Sequence, residues 1–417
     1  MAIPKKDITA RYAVVQGLFW ANYCILGGFA NVYLLAHGFS NTAIGLIVAI
    51  SGILSACTSP IIAAWADRPE TMPVRRIVTI MAAGMIALMA LVFLTRTSYV
   101  LTVITYTAAM MLIQLSATFT GALAAQSMRS GWKLTYGLAR GAGSLMYGLS
   151  AHALGWVVAR FSPDILPVLG IALWIVSFLF MLRFPDTKDH AVLYADMPAD
   201  GAEMGGEGGG SARGNADPPQ KRSDSPAAFF KRYPRFGLFL IGIFFVYISH
   251  AICNVFVTQI VISKGGTDAD TGQILGVQAL VELPVMFGFA WMLKKARAMN
   301  WMRICAFFYV LKMIGTYAAG SVAAHTAVQI FEMGSYAVMV AGTIYYVNSI
   351  MDARDTVKGQ SYFGISTTTA NVAASLLGGV MLDRWGVSPT LLFGIVVVVI
   401  GTLIVFVSVE KPRHAAV

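Results

Sequence analysis

An all-α membrane protein, built as twelve transmembrane helices in two pseudo-symmetric six-helix bundles, is the fold class this sequence predicts. Three observations carry that expectation. Of 417 residues, 57% are hydrophobic and only 12% are charged, about half the charged fraction of an ordinary soluble domain; the mean hydropathy is +0.69. Apolar runs of about 20 residues, the length needed to cross a bilayer, recur twelve times along the chain. One polar stretch, MPADGAEMGGEGGGSARGNADPPQKRSDSPAA, interrupts them after the sixth.

The first half, 1–184, contains spans at 12–36, 42–66, 76–95, 98–123, 138–160 and 163–184. The opening MAIPKKDITARYAVVQ shows no cleavage site after a short apolar core, so the first span is expected to be retained. That span carries Gln16, Trp20 and Tyr23; the fourth carries Thr107, Gln114 and Thr118. In the fifth, Arg140, Ser144 and Tyr147 fall on one stripe, because residues three or four apart share a helix face. His152 sits off that stripe, toward a neighbouring helix. Arg140 has two readings: a binding group facing the interior, or a basic residue snorkelling at the membrane surface. Gly137, Gly141 and Gly148, with Gly378 and Gly379 later, are expected to let helix backbones approach closely.

The segment 185–235 is too rich in Gly, Ser, Pro and charge to bury a core and reads as a flexible cytoplasmic linker. The second half, 236–417, contains spans at 236–261, 272–293, 300–320, 323–348, 360–382 and 388–409. The seventh bears a polar stripe, Tyr247, His250, Asn254 and Thr258, too dense for packing alone. The eighth pairs Gln278 with Glu282, followed by Pro284, which removes a backbone bond and allows a bend. The ninth buries Lys312. The tenth aligns His325, Gln329, Glu332 and Tyr336, with Glu332 expected in mid-helix. The eleventh holds the run Ser366, Thr367, Thr368, Thr369 and Asn371, open either to a cavity or to back-bonding within its own helix.

The net charge of +10 is distributed by topology. With the N-terminus cytoplasmic, Lys5, Lys6, Arg11, Arg75, Arg76, Lys133, Lys294, Lys295, Arg297, Arg303, Lys358 and Lys411 lie on one side. The other side keeps only Arg96, Arg160, Lys264 and Arg384. This bias places both termini inside, in an inner (plasma) membrane, and argues against nucleic-acid binding. Cys24, Cys57, Cys253 and Cys305 read as small core residues with no metal-like spacing. No nucleophile–base or ligand cluster of the kind an enzyme needs is evident.

Between spans two and three, AAWADRPETMPVRR resembles the signature loop of the major facilitator superfamily. Asp67, Arg68, Arg75 and Arg76 match its charged positions, and LKKARAMNWMR is a weaker echo in the second half. Within that superfamily the chain looks most like the branch of lactose permease, the oligosaccharide–proton symporters and the phenylpropionate permeases. YGLARGAGSLMYG is similar to that branch's fifth-span pattern, which implies that Arg140 binds substrate and Tyr147 stacks on it. ALVELPVM implies that Glu282 contacts substrate, VLKMIG that Lys312 takes part in proton coupling, and QIFEMGSYA puts Glu332 where the branch usually has histidine. Ala122 stands where the branch has the carboxylate partner of the arginine.

The resemblance and the polar stripes together imply a secondary active transporter of a sugar- or polyol-like solute, proton-coupled and working by alternating access. Aromatic carboxylate uptake and efflux of amphipathic compounds are the alternatives. The expected substrate-binding set is Arg140, Tyr147, Trp20, Tyr23, Gln114, His250, Asn254, Gln278, Glu282 and Tyr336. Glu332, Lys312 and Glu282 are the expected proton-coupling groups, since burial raises a carboxylate's pKa, lowers a lysine's, and pairing opposes both. The expected partners are a small-molecule substrate, protons and the lipid bilayer, with no cofactor, metal or nucleic acid, and the chain is expected to act as a monomer.

Overall fold

The computed structural model describes residues 7–66, 72–186, 225–352 and 354–411. Every expected span is a helix or an interrupted helix. Span one comprises α1 (Thr9–Tyr23), a π-helical turn Cys24–Gly28, and α2 (Ala30–Ala36). Spans two to six are α3 (Asn41–Ala66), α4 (Val74–Thr95), α5 (Tyr99–Arg129), α6 (Tyr136–Arg160) and α7 (Ile165–Leu182). The short α8 (Pro226–Arg232) precedes span seven, which divides at Phe256 into α9 (Pro234–Val255) and α10 (Val257–Ser263). Spans eight and nine are α11 (Asp268–Lys295) and α12 (Ala298–Ala318). Span ten divides into α13 (Val322–Val328), a 3-10 turn Gln329–Met333, and α14 (Tyr336–Ile350); α15 (Thr356–Trp385) and α16 (Val387–Ser408) complete the bundle.

Ten of these segments are long and apolar enough to cross a membrane. α6 and α12 are 25 and 21 residues long but more polar, because α6 carries Arg140 and α12 carries Lys312. A membrane helix keeps such residues where they face the bundle interior, so these two helices mark where polar groups enter the core.

Two local expectations change. Pro284 lies inside α11, which remains one helix around it; the interruptions of other spans fall at Cys24–Gly28, Phe256 and Gln329–Met333. Glu332 therefore sits in a tight turn between two helices rather than in mid-helix. The last part of the expected linker is helical. Ser225 caps α8, accepting a bond from the Ala228 N–H at 3.3 Å, and Pro226 follows at the first helical position, where its missing N–H costs nothing.

α8 is held to the bundle by Phe229, which is buried against Tyr233 and Tyr362, and by Asp355. The Asp355 carboxylate accepts from Arg232 at 2.8 Å and from the Tyr233 hydroxyl at 3.1 Å. Burial pushes its pKa up, but these bonds outweigh burial and hold it below the usual carboxylate range. A depressed folded-state pKa adds stability above the unfolded value and loses it as the pH falls through the folded value. Asp355→Asn should therefore lower the melting temperature at pH 7, with the deficit shrinking as the pH drops below about 4. A deficit of the same size at every pH would assign the loss to packing.

The two halves meet along α6–α11 and α3–α15. A Cβ on Gly45 would stand 2.0 Å from the Ser375 carbonyl oxygen, and one on Gly272 would stand 2.4 Å from that of Ala151, so only glycine permits either approach. Gly148 and Gly379 also abut neighbouring backbone as expected, whereas Gly141 and Gly378 face the Phe287 and Phe256 rings and Gly137 faces open space. The Gly45 and Gly272 contacts lie at the end of the bundle opposite the termini, here called the far end. There the apolar core around Phe29, Met85 and Trp174 continues into Val257, Val261, Ile274 and Leu275 of the second half. The far end is closed. Cys24, Cys253 and Cys305 are buried as expected, but Cys57 is exposed.

Candidate functional site

Two interrupted helices, spans seven and ten, turn their polar side chains toward α11 and α12. At the centre is an ion pair, Lys312 Nζ to Glu332 Oε2 at 2.5 Å. Lys312 is 2% exposed and Glu332 1%, so neither is stabilised by bulk water. The Ser335 hydroxyl adds a bond to the same carboxylate oxygen at 3.3 Å. In the tight turn, residues three apart eclipse, which brings Gln329 and Glu332 onto one face.

From the ion pair a polar chain runs inward. His250 Nδ1 lies 3.9 Å from Glu332 Oε1. The opposite ring nitrogen meets the Asn254 amide at 2.9 Å. Gln278 Nε2 donates to Asn254 Oδ1 at 3.1 Å and to Gln329 Oε1 at 2.9 Å. Tyr336 stacks on the His250 ring with centroids 4.9 Å apart, and Tyr309 meets that ring edge-on at 5.2 Å. Lys312, Glu332, His250, Asn254, Gln278 and Tyr336, all singled out in the sequence, are thus one connected group.

A second group lies between α1 and α6. The Arg140 guanidinium sits 4.3 Å over the Trp20 ring and donates to the Ser144 hydroxyl at 3.0 Å. No carboxylate lies within ion-pair distance of Arg140 among the described residues. A snorkelling arginine would point to the membrane surface; this one points up its helix, against an aromatic face. Trp20 is braced by Gln16 at 3.1 Å and packs against Tyr23 and Tyr147. The Tyr147 hydroxyl leans over Gly28, where a Cβ would come within 2.8 Å, and Glu282 lies within electrostatic reach of it. Glu282 is 9% exposed, on the α6–α11 seam.

Other expected residues go elsewhere. Gln114 donates to Ser51 on α3 at 3.2 Å and joins neither group. His152 is exposed, beside Gly276 of α11. In the eleventh span Thr367 and Thr369 back-bond to Gly364 and Ile365, and Ser366 reaches the Leu240 carbonyl on α9; the run ties its own helix and a neighbour. Of the signature-loop residues, Asp67 and Arg68 lie outside the described residues. Arg75 donates to the Phe184 carbonyl at 2.6 Å, with Asp186 at 3.9 Å, and Arg76 is exposed. Three participants carry no expectation: Ser335, Tyr309 and Met286, whose sulfur accepts from the Ser144 hydroxyl at 3.8 Å. A serine, a tyrosine and a methionine in apolar helices carry no signal of their own until the fold places them.

A small apolar cavity of about 20 Å³ lies apart from both groups, between α1, α4, α5 and α7. Val15, Phe19, Trp174 and Met181 line it, and it contains none of the expected binding residues.

Residues 10–408 match the sequence model of the MFS_1 like family. No curated protein is a significant sequence match to the chain. Among solved structures, a point mutant of the nucleoside transporter NupG aligns with TM-score 0.75 and 11% identity, covering 96% of this chain and 99% of that one. A bacterial homolog of the human lysosomal transporter Spinster, inward-facing and occupied, aligns with TM-score 0.65 and 12% identity over 96% and 95% of the two chains. The human organic anion transporter MFSD10 (TETRAN) aligns with TM-score 0.60 and 12% identity over 95% and 99%. At these identities the likeness is one of fold.

Proposed function

Because the chain belongs to the MFS_1 like family, and so to the major facilitator superfamily of transporters, we propose that it is a proton-coupled symporter of a small polar organic solute, sugar- or polyol-like. The observation that carries this reading is the buried Lys312–Glu332 pair at the end of the His250–Asn254–Gln278–Gln329 chain. A carboxylate enclosed at 1% exposure stays charged only while its lysine partner faces it, and becomes neutral on taking a proton. Separating the pair and protonating the carboxylate are therefore linked events, which is what coupling a proton to a conformational change requires. The neighbouring amides offer both donors and acceptors to hydroxyl groups, and Trp20 offers a ring to stack on. A nucleoside, the cargo in NupG's name, combines hydroxyls with an aromatic ring and suits the same chemistry.

A second reading follows from Arg140. A guanidinium held by Trp20 and Ser144 is positioned for a carboxylate, which favours an aromatic acid. The polar chain in the second half suits amphipathic efflux cargo less well. Thermal-shift measurement with sugars, nucleosides and aromatic acids separates these classes, and the best stabiliser becomes the solute for uptake assays. Stabilisation by aromatic acids alone would replace the first reading with the second.

In either case Arg140→Lys should weaken binding roughly tenfold to a hundredfold, because an ammonium lacks the planar two-pronged donor set. Tyr147→Phe should be mild and Tyr147→Ala severe, since the ring rather than the hydroxyl lies against Trp20. Unchanged affinity in Arg140→Lys would return that residue to a structural role. The proposed orientation puts both termini and the linker 185–235 in the cytoplasm, with the protein in the plasma membrane. A cysteine introduced at Ser211 should be inaccessible to impermeant reagents in intact cells; labelling from outside would invert the topology.

A further inference from the structure

The far end is closed by a chain of side-chain bonds that joins four spans across the two halves. Where span seven is interrupted, the Val255 carbonyl loses its helical partner. The Asn31 amide of α2 donates to it. Gln259 on α10 then uses its amide N–H groups twice, to Asn31 Oδ1 at 2.7 Å and to Asn41 Oδ1 at 2.8 Å. Asn41 opens α3, and its own amide reaches Asp383 Oδ1 at 2.8 Å.

Asp383 lies near the end of α15, in the other half, yet it caps α3. Its two oxygens accept from the backbone N–H groups of Asn41 at 3.0 Å and Thr42 at 2.7 Å. Capping of this kind is ordinarily supplied by a residue of the same helix. Here the negative charge at the helix N-terminus comes from a residue more than 300 positions away in sequence. When α3 and α15 separate, α3 loses its cap, Asn31 and Asn41 lose Gln259, and the Val255 carbonyl is left without its donor. All of these bonds cross between the two halves.

We propose that Asn31, Gln259, Asn41 and Asp383 form the far-end latch, an interlock that must break and reform in each transport cycle. Asn31 is 3% exposed and Gln259 8%, while Asp383 lies at the solvent-facing rim. The latch thus has a dry inner pair, which sets most of its strength, and an outer charged cap, which water can replace as the halves part. It is separate from the Lys312–Glu332 pair and depends on neither the identity of the solute nor the coupling ion.

The test needs no solute. Cys57, the exposed native thiol, is first replaced by serine. Spin labels are then placed through Thr97→Cys and Gly320→Cys across the far end, and separately through Lys133→Cys and Asn300→Cys across the near end. Distance distributions are measured by pulsed electron resonance in the parent, in Gln259→Leu and in Asp383→Asn, the last retaining shape and one acceptor at an exposed, fold-tolerant position. Breaking one charge-assisted or buried bond should raise the far-open to far-closed ratio by about tenfold, with the near-end distance shortening in step. Distributions unchanged in both variants, or a loss of thermal stability with no redistribution, would overturn the latch and leave these bonds as static packing.

Discussion

Glu332→Gln should bind solute and exchange it across the membrane, yet fail to accumulate it against a gradient. Glutamine reproduces the shape and hydrogen bonding of the protonated acid, but it can neither release a proton nor pair with Lys312 as an anion. The transporter would be fixed in its protonated state and would equilibrate solute without drawing on the pH gradient. Counterflow in proteoliposomes should survive, while uptake driven by an imposed pH gradient should fall to the level of simple equilibration. Glu282→Gln should behave differently and weaken binding itself, because that carboxylate lies by Tyr147 on the α6–α11 seam. If Glu332→Gln still concentrates solute with its proton, coupling passes to Glu282 or His250.

Lys312→Met should be the most destabilising single change in the second half. It leaves Glu332 buried at 1% exposure with the Ser335 hydroxyl and a distant imidazole as its remaining polar neighbours. Removing one member of a buried pair typically costs about 3–5 kcal/mol, because the other member loses its compensating charge. The double variant Lys312→Met with Glu332→Gln should recover most of that loss, since both charges are gone and a glutamine can still accept from Ser335. Thermal melting of the two singles and the double gives the coupling directly. Strictly additive losses would mean that the two side chains do not act as a pair.

Much of this was legible in the sequence, for a physical reason. Polar residues in a greasy chain are rare, and helical spacing says which of them share a face. His250 and Asn254, four apart, are bonded in the structure, as are Arg140 and Ser144. Lys312 and Glu332 stood out as buried charges of opposite sign. What the sequence did not disclose depends on contacts between distant elements. Pro284 marks no interruption of α11; the interruption at Phe256 is met by Asn31 of α2, and at Gln329–Met333 the His325 and Phe331 carbonyls are met by the side chains of Gln329 and Ser335. Gln114 had a polar neighbour on α3 that no periodicity could reveal. Asn41 and Asp383 look like ordinary residues at helix ends until α3 and α15 are brought together.

Proton flux accompanying solute entry tests the central claim most directly. Proteoliposomes containing an entrapped pH indicator, with no imposed gradient, are given the solute that most stabilises the protein in the thermal-shift panel. The account predicts acidification of the interior in step with solute entry, present in the parent and absent in Glu332→Gln. Solute entry through the parent with no change in internal pH would contradict it.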